Sequence, residues 1–228
     1  MKKTLYVLTA LILLSCNPLS EYQNLPEVKS WENDILKFEQ LDKTENYPSE
    51  SIIFAGSSSI RLWSTLKEDI APYPVIQRGY GGAKLSDFAV YADRIFDPHE
   101  CRAIVIFVAN DITGSENDKS PEEVLRLYKH VVKTIRKNHK NTPVFWIAIT
   151  PTSSRWKAWP QIRNANKLIK EYCEKSQNLY FITTDFAFLG QDGKPKDELF
   201  RDDLLHLNDQ GYALWKEIVK KELDSVLK

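Results

Sequence analysis

The sequence predicts an α/β fold: a single domain with a five-stranded parallel sheet between helices. Three observations predict it. Short apolar runs alternate with longer stretches whose apolar residues recur at helical spacing. The central run, Ala103 to Val108, is apolar throughout, as a strand covered on both faces must be. Several runs also end directly in Gly, Ser or Asn, the residues that turn a chain out of a strand. A chain of 228 residues suits one domain with a full core better than two.

The first segment stands apart from that pattern. Lys2 and Lys3 precede the apolar stretch Leu5 to Leu14, which is too short to span a bilayer and is patterned as an export signal. It ends in Leu13-Leu14-Ser15-Cys16, which resembles a bacterial lipobox. The resemblance implies that Cys16 becomes the lipidated first residue. It also implies export to the bacterial cell envelope and a membrane anchor, and Asn17 after the cysteine favours the outer membrane. A plain secretory signal with an incidental Cys16 is the alternative. The expected organisation is a signal peptide over 1–15, a polar tether over 16–26 with Pro18 and Pro26, and a domain over 27–228.

The elements of the domain follow in order. Trp31, Ile35, Leu36, Phe38 and Leu41 recur at helical spacing between Val28 and Leu41. Ile52–Ala55 reads as the first strand and Ile60 to about Ile70 as a helix that Ser57 to Ser59 can cap. Val75–Gln77 is the second strand, and Leu85–Phe96 a helix with Phe88, Ala92 and Phe96 on its apolar face. After strand three at Ala103–Val108, Ser120 caps a helix that opens on Pro121 and runs to about Asn138. Val144–Ile149 is strand four, Pro160 to Ser176 mostly helix and Leu179–Ile182 strand five. Asn208 caps the last helix, which extends to Leu227.

Composition narrows the chemistry. The 43% hydrophobic and 27% charged content is that of an ordinary globular protein. Lys and Arg number 31, as do Asp and Glu, and no basic stripe stands out, so nucleic acid is not an expected partner. Loss of Lys2 and Lys3 with the signal leaves 29 basic residues. His99, His130, His139 and His206 stand at no metal-ligand spacing, and no metal is expected. Cys101 and Cys173 are permitted a disulfide by export, although buried free thiols fit better.

Chemistry-bearing residues cluster after the apolar runs. Gly56-Ser57-Ser58-Ser59 follows strand one, at the carboxyl edge where open α/β sheets bind ligands. Serine there is a nucleophile if a base lies within reach. Asp203-Leu204-Leu205-His206 supplies a base with a carboxylate three residues away, able to fix its tautomer. Gly79-Tyr80-Gly81-Gly82 and Asn110-Asp111 complete the set. Each also has a plainer reading: a helix cap for the serines, a packed or surface residue for His206, a tight turn for Gly82, an Asx turn for Asn110.

These blocks, in this order, resemble the SGNH or GDSL-type hydrolase family from about residue 50 to the end. The resemblance rests on the Gly-Ser-Ser-Ser-Ile-Arg-Leu-Trp opening at Gly56 to Trp63, on Arg78-Gly79-Tyr80-Gly81-Gly82, on Asn110-Asp111 and on Asp203 to His206. It implies a flavodoxin-like SGNH hydrolase fold and a carboxylic ester hydrolase that needs no cofactor. It further implies Ser58 as nucleophile, with Ser57 and Ser59 as the other candidates. His206 becomes the base, oriented by Asp203 with Asp202 a solvated neighbour. The oxyanion donors become the backbone N–H groups of Ser58 and Gly82 and the amide of Asn110. The chain departs from the family pattern at Ser57, where Asp is usual, at Leu204 and Val108, where Gly is usual, and at Gln77, where Asn is commoner.

One loop adds a substrate expectation. Pro151 to Pro160 follows strand four at the same edge and holds Arg155, Trp156 and Trp159. These are expected to bind substrate by stacking on a sugar or lining an acyl pocket; sealing of the core is the alternative. Arg61 and Trp63 sit on a helix, where packing suits them better. With no long apolar lid segment, short acyl groups on carbohydrate, acetyl above all, are the expected substrate. The expected partners are therefore a small-molecule or glycan ester and the membrane through the lipid anchor. A lysophospholipase or thioesterase, or a non-catalytic glycan-binding lipoprotein, is the rival.

Overall fold

The computed structural model describes residues 19–228; the expected signal peptide, Cys16 and residues 17 and 18 lie outside them. Two helices, α1 (Pro26–Lys29) and α2 (Glu32–Thr44), lead into β1 (Ile52–Gly56). Then follow α3 (Ser58–Arg61), α4 (Leu66–Asp69), β2 (Val75–Gly79), α5 (Leu85–Val90), α6 (Ala92–Phe96) and β3 (Ala103–Phe107). The second half holds α7 (Pro121–Asn138), β4 (Val144–Ile147), α8 (Trp159–Glu174), β5 (Leu179–Ile182) and α9 (Asp209–Leu227).

The five strands form one parallel sheet in the order β2-β1-β3-β4-β5. The chain steps from β1 to one side and then returns to the other, so β1 and β3 flank the switch point where ligands bind in such sheets. Register sharpens this. Gly56 stands opposite both Gly79 and Phe107, so β1, β2 and β3 end level and their following loops share one edge. Every residue of β1 and β3 is buried, which is why their sequences are continuously apolar.

Some expected elements are divided, for visible reasons. The helix expected over 60–70 splits into α3 and α4 around Trp63. The Asp69 carboxylate takes the Trp63 indole N–H at 2.8 Å and the Thr65 hydroxyl at 2.6 Å, bonds that a straight helix would not offer. The helix over 85–96 breaks at Tyr91, which ends α5 and begins α6. Strand four stops two residues short because the side chain of Asn166, not a neighbouring strand, takes the N–H and C=O of Ile149 at 2.8 and 2.9 Å. By contrast α7 begins at Pro121 with the Ser120 hydroxyl accepting from Glu123 N–H, as its sequence requires.

The expected tether is a packed arm wherever it is described. Leu19 and Tyr22 are buried, the Tyr22 hydroxyl donates to Glu123 on α7, and Arg126 pairs with Glu21 at 2.7 Å. Apolar side chains at 19, 22 and 28 hold the arm against the domain, and polar composition alone does not reveal them. Cys101 and Cys173 are free thiols. Among the described residues no helix is long and apolar enough to cross a membrane.

Candidate active site

The turn after β1 is made by Gly56, which has φ of +141°. A Cβ there would stand 1.9 Å from the carbonyl oxygen of Phe107, so only glycine fits between β1 and β3. Ser57 N–H then bonds the same carbonyl at 2.8 Å, and Ser58 becomes the first residue of α3. Within α3 the backbone bonding starts with Ile60 N–H on Ser57, so the N–H of Ser58 belongs to the unpaired helix start. Ser57 and Ser59 are buried, while Ser58 is half-buried.

The structure brings Ser58, and neither of its serine neighbours, to the histidine. Ser58 Oγ lies 2.9 Å from His206 Nε2, and His206 Nδ1 lies 2.6 Å from Asp203 Oδ2. The other Asp203 oxygen accepts the N–H groups of Leu205 and His206 at 3.0 and 2.9 Å. Burial works against the Asp203 charge, but the His206 ring bond and these two backbone donors overcome it and hold the carboxyl at about 2. The turn passes through Leu204 at φ of +52°, so the left-handed position that glycine would relax is kept here by leucine. An antiparallel bridge between Phe200 and Leu207 closes the loop. The Tyr212 hydroxyl on α9 donates to Ser59 C=O at 2.9 Å, tying the helix that follows the histidine's loop to the serine's helix.

Of the other two blocks, Asn110 lines the cavity that holds Ser58, whereas Gly82 is exposed and is not among the lining residues. Gly82 has φ of +72°, and among the described residues no hydrogen bond engages its N–H. The Asn110 amide donates to the carbonyl of Ala83 at 2.9 Å, so it is fastened to the loop that carries Gly82. Beneath that loop two buried carboxylates take backbone N–H groups: Asp87 from Lys84 at 3.0 Å and Asp111 from Leu85 at 2.8 Å. Burial pushes Asp87 up to about 7, against a hydrogen bond from the Tyr80 hydroxyl. Burial raises Asp111 as well, with Lys119 opposing.

Ser58, Asn110 and His206 line one cavity of about 30 Å³ together with Arg155, Thr150 and Thr152. That is room for about two water-sized groups. Trp156 and Trp159, expected at the substrate, are not among its lining residues. Trp159 is the first residue of α8 and is 8% exposed. Trp156 stacks on it with ring centres 6.1 Å apart and planes 12° from parallel. Trp159 turns into the core at the start of α8, and the half-buried Trp156 before it packs against the core. Arg155 does reach the cavity, but its guanidinium bonds Ala109 C=O and Asn110 Oδ1, each at 2.6 Å.

Three residues near the site carried no functional signal in the sequence. Trp31 packs over Tyr80 with ring centres 5.1 Å apart and stands 3.5 Å from where a Gly82 Cβ would be. Thr150 and Thr152 enter the cavity wall only because strand four ends at the same edge. Gln77 and Arg78 are structural: Gln77 holds the C=O of Ile60 at 2.6 Å, and Arg78 pairs with Asp42 on α2. Among the described residues no group of His, Cys, Asp and Glu side chains could hold a metal ion. A serine hydrogen-bonded to an imidazole, itself oriented by a carboxylate, is equipped for nucleophilic attack on a carbonyl.

Comparisons with known proteins bear on this geometry. Residues 44–214 match the model of the GDSL-like lipase/acylhydrolase family. Among curated proteins none matches. Solved structures share the fold at low identity. A Streptococcus pneumonia protein, provisionally named a platelet activating factor, superposes with a TM-score of 0.76 at 18% identity over 86% of this chain and 94% of its own. For a GDSL-like lipase from Bacteroides thetaiotaomicron VPI-5482 the TM-score is 0.69 at 14% identity, over 85% and 98%. For a carbohydrate esterase family 3 protein from Talaromyces cellulolyticus it is 0.63 at 14% identity, over 78% and 98%.

Proposed function

The chain belongs to the GDSL-like lipase/acylhydrolase family, and from that premise we propose that it is a carboxylic ester hydrolase that removes short acyl groups, acetyl above all, from carbohydrate. The unbroken hydrogen-bonded chain Ser58–His206–Asp203 carries the reading. In it, His206 Nε2 takes the proton of Ser58 Oγ as that oxygen attacks the ester carbonyl. Asp203 holds the ring by Nδ1–H and stabilises the imidazolium. The carbonyl oxygen gains charge facing the N–H groups of Ser58 and Gly82 and the free N–H of Asn110. His206 returns the proton to the departing alcohol, and water repeats the sequence on the acyl-serine. The small cavity supports a short acyl group, and the carbohydrate alcohol is supported by the carbohydrate esterase among the proteins that share the fold.

The test is hydrolysis of p-nitrophenyl esters from acetate to palmitate by wild type and Ser58→Ala. Activity falling steeply with chain length, and lost by about 10⁶-fold in kcat in the variant, is the expected result. Preference for palmitate would favour the lysophospholipase or thioesterase reading. Glycan binding without any hydrolysis would favour a binding protein. The segment ending in Cys16 supports an exported, lipid-anchored form. Cys16→Ser should then abolish lipid attachment, and a mature N-terminus mapped elsewhere on a protein that partitions into buffer would remove the anchor.

A further inference from the structure

We propose that Arg155 is a positioning residue: it locks the Asn110 amide with its N–H toward the oxyanion, rather than binding substrate. The inference rests on the ester-hydrolase reading above. An asparagine amide has one acceptor oxygen and two N–H donors. Here the oxygen takes Arg155 Nη2 at 2.6 Å, and one N–H goes to Ala83 C=O at 2.9 Å. The second N–H is left for a ligand. Turning the amide over would set its NH₂ against a guanidinium and its oxygen against a carbonyl, losing two hydrogen bonds and creating two repulsions. Arg155 therefore gives the amide a single orientation.

The other arm of the guanidinium, Nη1, holds Ala109 C=O at 2.6 Å. One rigid fork thus fixes the backbone and the side chain of successive residues, which the single ammonium of lysine does not match. Among the described residues no carboxylate pairs with Arg155; the charges that oppose its desolvation, on Asp118 and Asp111, act from a distance. A cation on the amide oxygen also strengthens the amide N–H as a donor.

The same segment reaches the base. Ser153–Ala158 is a short 3₁₀ helix, and Ser154 N–H bonds Leu204 C=O at 3.3 Å, inside the Asp203–His206 turn. Residues 154 and 155 therefore touch the base loop and the oxyanion loop in turn.

The experiment is a double-mutant cycle of Arg155→Met and Asn110→Ala on p-nitrophenyl acetate, with fluorophosphonate labelling of Ser58 as a second readout. Asn110→Ala alone should lower kcat by about 10²–10³-fold. Arg155→Met alone should lower kcat by about 10-fold or more, slow labelling in parallel and leave KM near wild type. In the Asn110→Ala background it should change kcat by less than about 2-fold. Arg155→Lys should recover part of the loss. A raised KM with unchanged kcat makes Arg155 a substrate ligand and overturns the proposal. So do fully multiplying effects of the two substitutions, or normal kcat per labelled site with only a lower melting temperature. Wild-type protein that neither hydrolyses nor labels overturns the ester-hydrolase reading itself, whereas an active wild type with an indifferent Arg155→Met overturns this proposal alone.

Discussion

The carboxylate and imidazole of the proposed base arm stand three residues apart in one turn, whereas the proposed oxyanion arm draws Ser58, Gly82 and Asn110 from the loops after three different strands. In the base arm Asp203 is exposed and His206 half-buried, their side chains 47% and 25% accessible. It is held by short-range bonds from Leu205 and His206 N–H to a carboxylate. The proposed oxyanion arm lies over buried carboxyl groups, Asp87 and Asp111, with the half-buried Arg155 beside it. A local arm is assembled by one turn. A distributed arm needs the whole sheet in register and several desolvated groups satisfied at once.

Breaking the base arm should give the largest effect on activity and a small one on stability. Asp203→Asn keeps the shape but offers an amide where His206 Nδ1–H needs a carboxylate, so the ring adopts the wrong tautomer. A loss of about 10⁴-fold in kcat is expected, with the melting temperature near wild type because the group is exposed. Asp202→Asn should leave kcat almost unchanged. If Asp203→Asn keeps kcat within about 10-fold of wild type, some other group orients His206.

That same contrast explains what could be seen in the sequence. Asp203 and His206 are legible because a carboxylate three residues from a histidine is a spacing with a chemical meaning. The strands are legible because β1 and β3 are buried on both faces and therefore apolar throughout. Arg155 was visible as a residue and not as a role: its partners Ala109 and Asn110 lie more than forty positions away. The packed arm at Leu19 and Tyr22 escaped for a related reason, since two apolar residues among prolines and polar residues carry no periodicity. Trp156 and Trp159 suggested a sugar platform because a polar loop with aromatics does so by composition. Only the start of α8 at Trp159 shows that this ring turns inward.

Those tryptophans give a prediction of intermediate size, on stability. The stack of Trp156 and Trp159 closes the end of the 3₁₀ segment that touches both arms. Trp159→Ala removes a buried ring and should cost about 3–5 kcal/mol of stability, with KM for p-nitrophenyl acetate near wild type in the folded fraction. Trp156→Ala, on the half-buried partner, should cost less. Thermal denaturation and kinetics on the same purified variants decide it; a raised KM with an unmoved melting temperature would return both rings to the substrate.

The smallest effect should separate the arms by pH. In the base arm Asp203 is held at about 2, below the ordinary carboxyl value of about 3.9. Its contribution to stability is present above that ordinary value and is lost as pH falls toward 2. In the oxyanion arm Asp87 is pushed the other way, up to about 7 by burial. Between about pH 4 and 7 the folded chain holds a proton at Asp87 that the unfolded chain has released. Stability from this group therefore falls as pH rises through that window. Asn cannot ionise and can still meet both Tyr80 and Lys84. Asp87→Asn should accordingly flatten the fall in melting temperature between pH 5 and pH 8 and leave the acid limb, where Asp203 acts, as in wild type. Asp111 and Asp185 are also raised by burial and remain in both proteins, so the difference between the two curves reports Asp87 together with its interaction with Asp111. Parallel curves would mean that Asp87 stays ionised when folded. The loop carrying Gly82 would then rest on a buried negative charge close to the place where the oxyanion must form.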